Sequence, residues 1–201
     1  MKNIKLKLEH YAKKSPNMDF FFRGNRILYY DKLKGGDYML YHGSKYFIED
    51  ELEPRLSFAC KKLVYATDNY FYALVRAGNF DMTKSLIRED YNGVNKPYQL
   101  VEVVPGAFGE VFNCKGYIYE VDDRTFVNSI DINEFVSESN VKIKKRIVIE
   151  NVYEEILKNI EHYELIFYEN SEEFWKTVRG GREGYLDRRA KRLQKMKEAG
   201  L

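Results

Sequence analysis

Three short segments, far apart in the chain, carry side chains suited to holding a nucleotide and acting on its sugar. In Tyr41-His42-Gly43-Ser44, the imidazole can donate or accept a hydrogen bond with a sugar hydroxyl. Gly43, having no Cβ, lets the backbone approach a flat ligand. In Val64-Tyr65-Ala66-Thr67 and the following Tyr70-Phe71-Tyr72, ring faces are available for stacking, worth roughly 0.5–1.5 kcal/mol beyond burial. Asn133-Glu134-Phe135-Val136-Ser137 opens with a carboxylate that could bind a ribose hydroxyl and stabilise positive charge at an anomeric carbon. An oxocarbenium-like transition state makes that electrostatic demand. Each segment also has a structural reading: a strand-end histidine, aromatic residues packed in the core, and a solvated glutamate at a strand edge. Glu120, at the end of Gly116–Val121, is a rival carboxylate.

The elements that must position these groups follow from hydrophobic period and turn residues. Phe20-Phe21-Phe22 and Ile27-Leu28-Tyr29-Tyr30 flank a turn-like Arg23-Gly24-Asn25-Arg26, which predicts a hairpin in a lead-in over 1–37. Tyr38 to Tyr41 reads as a strand ended by His42-Gly43-Ser44, and residues 45–60 read as a loop. Leu63 to Ala66 is a second strand. Thr67 and Asp68 are placed to cap a helix over Asn69–Ala77, and Gly78 to end it. A further helix is expected over Met82–Glu89, and a turn region at Asn92, Gly93, Asn95 and Pro97. Strands are expected at Tyr98–Val104, Val111–Phe112, Gly116–Val121, Phe135–Val136, Val141–Ile149 and Glu164–Tyr168. Asn151 caps a helix through Val152, Ile156 and Ile160. The expected class is α+β: a lead-in, a strand-rich core with few helices over 38–170, and a basic helical tail over 171–201.

Taken in this order, the three segments resemble the His–Tyr–Glu motif of the diphtheria-toxin and poly-ADP-ribose-polymerase branch of the ADP-ribosyltransferases. The resemblance runs from about Tyr38 to Ile149. It implies a split β-sheet core with NAD as substrate. His42 would contact the adenosine ribose, the Gly43 backbone the nicotinamide amide, and Tyr65 would stack on nicotinamide. Tyr72 would be the second stacking ring, with Tyr70 as rival. Glu134 would engage the nicotinamide ribose as the catalytic carboxylate. Ser44 completes the first motif, and Arg55 in the following loop would meet the pyrophosphate. The same stretches resemble a set of bacterial and phage proteins that pair Tyr-His-Gly-Ser with Val-Tyr-Ala-Thr.

Composition narrows the classes. Thirty-three Lys/Arg against 31 Asp/Glu give a net charge of +2, which argues against a uniformly basic nucleic-acid coat and against a disordered acidic chain. That sum joins two unlike parts: about −4 over residues 1–175 and +6 over 176–201. The tail from Arg182 to Lys197 could contact nucleic acid or a protein partner. A catalytically silent nucleotide- or nucleic-acid-binding module is therefore the alternative to transfer of ADP-ribose. NAD glycohydrolase or RNA 2′-phosphotransferase-like chemistry is a further one, the phosphotransferase ranked low because no convincing second arginine accompanies the motif in the sequence. Seventeen tyrosines and 13 phenylalanines suit strand packing. Cys60 and Cys114 fit two free thiols in a reducing compartment. His10, His42 and His162 lack metal-ligand spacing, so no metal is expected. Without an apolar run of the ~20 residues that a membrane helix needs, the expected location is the cytoplasm, with no membrane partner.

Overall fold

The computed structural model describes residues 18–23, 26–32, 39–56, 61–88, 97–129 and 134–198. Strands β1 (Met18–Arg23) and β2 (Arg26–Lys32) form an antiparallel hairpin with Arg23 opposite Arg26, where the turn-like quartet places it. β3 (Leu40–Ser44), β4 (Glu51–Leu52), β5 (Arg55–Leu56) and β6 (Lys62–Ala66) lead into helix α1 (Tyr70–Ala77). β7 (Ser85–Arg88) and β8 (Tyr98–Glu102) precede α2 (Ala107–Phe112). Then come β9 (Gly116–Val121), β10 (Val127–Ser129), β11 (Glu134–Ser137) and β12 (Val141–Ile149). The described chain ends with α3 (Val152–Lys158), β13 (Tyr163–Ile166), α4 (Glu172–Lys176) and α5 (Gly181–Glu198).

The architecture is mixed α+β with mostly antiparallel sheets and few helices. Six strands run in the order β1-β2-β10-β11-β6-β5, four in the order β3-β9-β12-β4, and three in the order β13-β8-β7, where β13 and β8 are parallel. The first two sheets are tied at one corner, where Tyr41 and Thr67 exchange backbone hydrogen bonds of 2.7 and 2.9 Å. Side-chain alternation sorts each strand between two cores. Leu40, Tyr119 and Val121 pack with Val64, Ala66 and Phe135 between these sheets. Ile118 faces the other way, into a cluster built by Leu74, Val111, Phe112 and Ile156 of the helices. Leu40, Leu74 and Ile118 are fully buried, each contributing roughly 1.5–3 kcal/mol by leaving water.

Several expectations change. β3 does not stop at Tyr41 but runs through Ser44, because His42, Gly43 and Ser44 pair with Tyr119, Ile118 and Tyr117. The 45–60 loop contains the short strands β4 and β5. The cap of α1 is Asn69, whose side chain accepts from the amides of Phe71 and Tyr72; the Thr67 hydroxyl accepts from the amide of Asn69 instead. The helix expected over 82–89 is a turn followed by β7, since Leu86 and Ile87 find Val101 and Leu100 across the sheet. Val111 and Phe112 are helical, not extended. Gly106, at φ +72°, opens that helix, and buried Glu102 accepts from the amides of Phe108 and Tyr168. The Asn92, Gly93 and Asn95 turn and Cys60 lie outside the described residues, and Cys114 is a free thiol. The tail does form a helix, and it is docked: Tyr185 and Leu186 pack on Val101, Val103, Phe174 and Trp175. No helix among the described residues is long and apolar enough to cross a membrane.

Candidate functional site

The corner between the first two sheets gathers the three motifs. β6 and β11 are neighbours, with Ala66 opposite Phe135 and Tyr65 opposite Val136. That register puts Glu134, the first residue of β11, alongside the Thr67 end of β6, where Tyr41 crosses over. His42 follows Tyr41, and its Nδ1 donates to the Tyr65 carbonyl oxygen over 2.7 Å. A carbonyl can only accept, so the bond fixes the tautomer and leaves Nε2 as an acceptor. Burial is the largest influence on this imidazole and lowers its pKa. The Tyr65 carbonyl opposes that effect, and the positive charges of Arg55 and Arg76 add to it. His42 is accordingly neutral at pH 7, suited to positioning and not to carrying charge.

Glu134 is 8% exposed and faces the Arg76 guanidinium at 3.5 Å. Arg76 comes from the last turn of α1. Its Nη2 donates to the Tyr72 hydroxyl at 3.0 Å, and its guanidinium lies 5.2 Å from the Tyr72 ring centre and 4.9 Å from that of Phe80. Burial works against its charge, but Tyr72, Glu134 and Tyr65 outweigh burial and hold its pKa above the ordinary value. A buried carboxylate is retained where a guanidinium compensates it. Arg76 was not legible as a site residue from sequence. The available signal was its spacing, four residues after Tyr72 on a helix otherwise buried from Tyr72 to Ala77.

The remaining candidates divide. Arg55, exposed on β5, is close enough to influence His42 and lies 6.0 Å from the Tyr46 ring centre. Ser44 shares the His42 face, and its hydroxyl accepts from the Tyr46 amide, shaping the loop after β3. Tyr72 is buried, with Arg76 against its ring. Gly43 answers a packing need: a Cβ there would meet the Ala73 carbonyl oxygen at 1.9 Å and the Ala77 amide nitrogen at 2.8 Å. The glycine is required by the close approach of α1, so no ligand is needed to explain it. Tyr70 stands edge-on to Tyr41, 5.7 Å between centroids, on the side of β3 away from His42. Glu120 pairs opposite Tyr41, on that same far side, and its carboxylate meets Lys145 at 3.1 Å. The structure thus brings His42, Tyr65, Glu134, Arg55 and the unforeseen Arg76 to one corner. Glu120 and Tyr70 are outside it.

No family model matches the chain, and no curated protein or solved structure matches it. The functional reading therefore rests on the site's own geometry. Among the described residues no group of three or more His, Cys, Asp or Glu could hold a metal ion. A surface cleft of about 300 Å³ beside β8 and β13, lined by Arg88, Gln99, Glu164 and Phe174, shares no residue with the corner. The corner combines a carboxylate, a neutral imidazole, two guanidinium groups and a phenol ring. That set can orient a ribose, attract phosphates and stabilise cationic character at a sugar carbon.

Proposed function

We propose that the protein binds NAD as substrate and transfers its ADP-ribosyl group, using an ADP-ribosyltransferase-like split-sheet core. The observation carrying this reading is the 2.7 Å bond from His42 to the Tyr65 carbonyl, with Glu134 entering the adjacent strand at the same corner. Residues separated by about 90 positions meet there. His42 positions a ribose through Nε2, and Tyr65 offers its ring to nicotinamide. Arg55 and Arg76 offset the charge of the pyrophosphate. Glu134 accepts from the 2′-hydroxyl of the nicotinamide ribose and favours positive charge at C1′. The C1′–N bond breaks with its electron pair going to nicotinamide, which leaves neutral; the acceptor's nucleophile bonds to C1′ and loses its proton.

A second reading, a catalytically silent nucleotide-binding module, draws on the Arg76–Glu134 ion pair, which engages the carboxylate that transfer requires. Calorimetric titration with NAD tests what the two readings share. Saturable binding below millimolar concentration is expected, weakened at least fivefold by Tyr65→Ala. Absence of binding at millimolar NAD removes the nucleotide from both.

A further inference from the structure

We infer that the acceptor is a single-stranded nucleic acid, laid along a line of cationic and aromatic side chains that runs from α5 past Glu134 to the loop after β3. The inference rests on the NAD-dependent transfer proposed above and supplies its substrate class.

The line can be followed residue by residue. α5 is pinned where Tyr185 donates to the Met82 carbonyl oxygen at 2.9 Å and where Arg182 meets the Val103 carbonyl oxygen at 3.4 Å. Arg182 also lies 4.8 Å from the Tyr168 ring centre. Met82 follows Phe80 by two residues, and the Arg76 guanidinium rests on Phe80. Arg189, one turn beyond Tyr185, is therefore carried toward Arg76. Burial first, and then the neighbouring charges of Arg192 and Arg76, depress its guanidinium against the pull of Tyr185 and Asp81. Arg189 is thus within electrostatic reach of both Arg192 and Arg76, the partner of Glu134. Arg55 and Arg76 are both near enough to His42 to lower its pKa, and the Arg55 guanidinium lies 6.0 Å from the Tyr46 ring centre.

Beyond Arg55 the line becomes aromatic. Tyr46 and Phe47 are 55% and 58% exposed, large rings in water on a loop that is nonetheless rigidly held. The Tyr119 hydroxyl accepts from the Ile48 amide at 2.7 Å and donates to the Tyr46 carbonyl oxygen at 2.9 Å. Arg146 donates to the Ile48 and Glu49 carbonyl oxygens at 2.7 and 2.6 Å, with its guanidinium 4.1 Å from the Phe47 ring centre. Lys45 Nζ lies 4.9 Å from the Tyr46 ring centre. Exposed rings among cations can serve as a stacking platform for bases, and a basic track beside one is how single strands are bound without sequence readout.

α5 extends the track outward. It carries seven Lys/Arg and three Asp/Glu, and Arg188, Arg192 and Lys195 fall at i, i+4 and i+7 on one exposed stripe. Charge complementarity points to a polyanion, and the rings at the far end select bases over an acidic peptide. Glu134 is enclosed, 8% exposed, so the acceptor must bring its nucleophile to C1′ of NAD inside the corner, which an unpaired strand does without the cost of extruding a base from a duplex.

The test is fluorescence anisotropy with a labelled twelve-nucleotide RNA and its DNA counterpart, followed by incubation with adenylate-labelled NAD. Affinity is expected to fall with salt at a logarithmic slope of about −2, as for roughly three phosphate contacts on a single strand. Arg192→Glu with Lys195→Glu should weaken binding at least tenfold and flatten the slope by about 1.4. Tyr46→Ala with Phe47→Ala should weaken it at least fivefold with the slope retained. Lys158→Glu, a charge reversal of the same kind at one position on α3, should match the wild type. With NAD present, label should pass to the oligonucleotide. Equal binding of duplex, full competition by polyglutamate, or binding indifferent to both double variants overturns the inference. Nicotinamide release without label on the oligonucleotide overturns the acceptor alone. Oligonucleotide binding with no nicotinamide release overturns the transfer reading on which the acceptor depends.

Discussion

The two faces of β3 divide one tetrapeptide into two duties. Tyr41 and Gly43 face α1: Tyr41 packs on Tyr70, and Gly43 admits the helix backbone. His42 and Ser44 face the corner, where His42 holds the Tyr65 carbonyl and Ser44 shapes the loop carrying Tyr46. β9 divides in register, with Glu120 on the helix side and Tyr119 on the corner side. Period-two alternation, not proximity in sequence, decides which residues of a motif can share a ligand. A substitution on the helix face should therefore leave the chemistry as it is and cost stability only where the residue is packed against α1, and one on the corner face should alter chemistry or its pH dependence.

The largest effect expected is at Gly43. Gly43→Ala puts a methyl group onto the Ala73 carbonyl oxygen. Relief requires α1 to move, at a cost of about 3 kcal/mol or more. For a chain of this length that corresponds to a Tm lower by roughly 6–12 °C in a thermal melt. A melt unchanged within a degree would mean that α1 does not press on β3. Next is Arg76→Met, which strands the Glu134 carboxylate. The penalty for a broken buried pair, reduced because Arg76 is one-third exposed, is about 2 kcal/mol in urea unfolding. Glu134→Gln should cost less, and the double variant should recover about 1 kcal/mol of the summed losses. Strict additivity would dissolve the pair.

His42→Ala removes one hydrogen bond, about 1 kcal/mol. It also probes the titration. The folded-state pKa of His42 lies below its ordinary 6.5, so the unfolded chain takes up a proton first. The titration of His42 does not influence stability well above pH 6.5, and it lowers stability as pH falls from 6.5 toward the folded pKa. The variant should lose that part of the acid slope; an identical slope would place the imidazole in water. The smallest effect is at Glu120, whose partner Lys145 is largely exposed. Glu120→Gln should change stability by no more than about 0.5 kcal/mol and leave NAD binding as it is.

Much of this arrangement is legible in the sequence because it is local. Alternation in Gly116–Val121 and Val141–Ile149, the Arg23–Arg26 quartet and the Asn151 cap each determine an element within a few residues. What escapes is set by distant partners. Leu86 and Ile87 have an ambiguous local pattern and become strand only because β8 supplies Val101 and Leu100. Val111 and Phe112 read as strand alone, but Gly106 and the Glu102 carboxylate start a helix before them. At the site, the order of the three motifs is visible in the chain, while Arg76 is not. Its role comes from a strand that begins 58 residues later, and nothing near Arg76 announces Glu134.

The difference between the faces carries over to the two carboxylates, and nicotinamide release from labelled NAD decides between them. Purified wild-type protein should release nicotinamide. Glu134→Gln should reduce the rate by about 100-fold or more, as expected for loss of electrostatic stabilisation at the reacting carbon. Glu120→Gln should stay within about twofold, since its carboxylate lies behind the sheet and outside the corner. No release from the wild type, or release lost in Glu120→Gln and kept in Glu134→Gln, would contradict the transfer chemistry assigned to this corner.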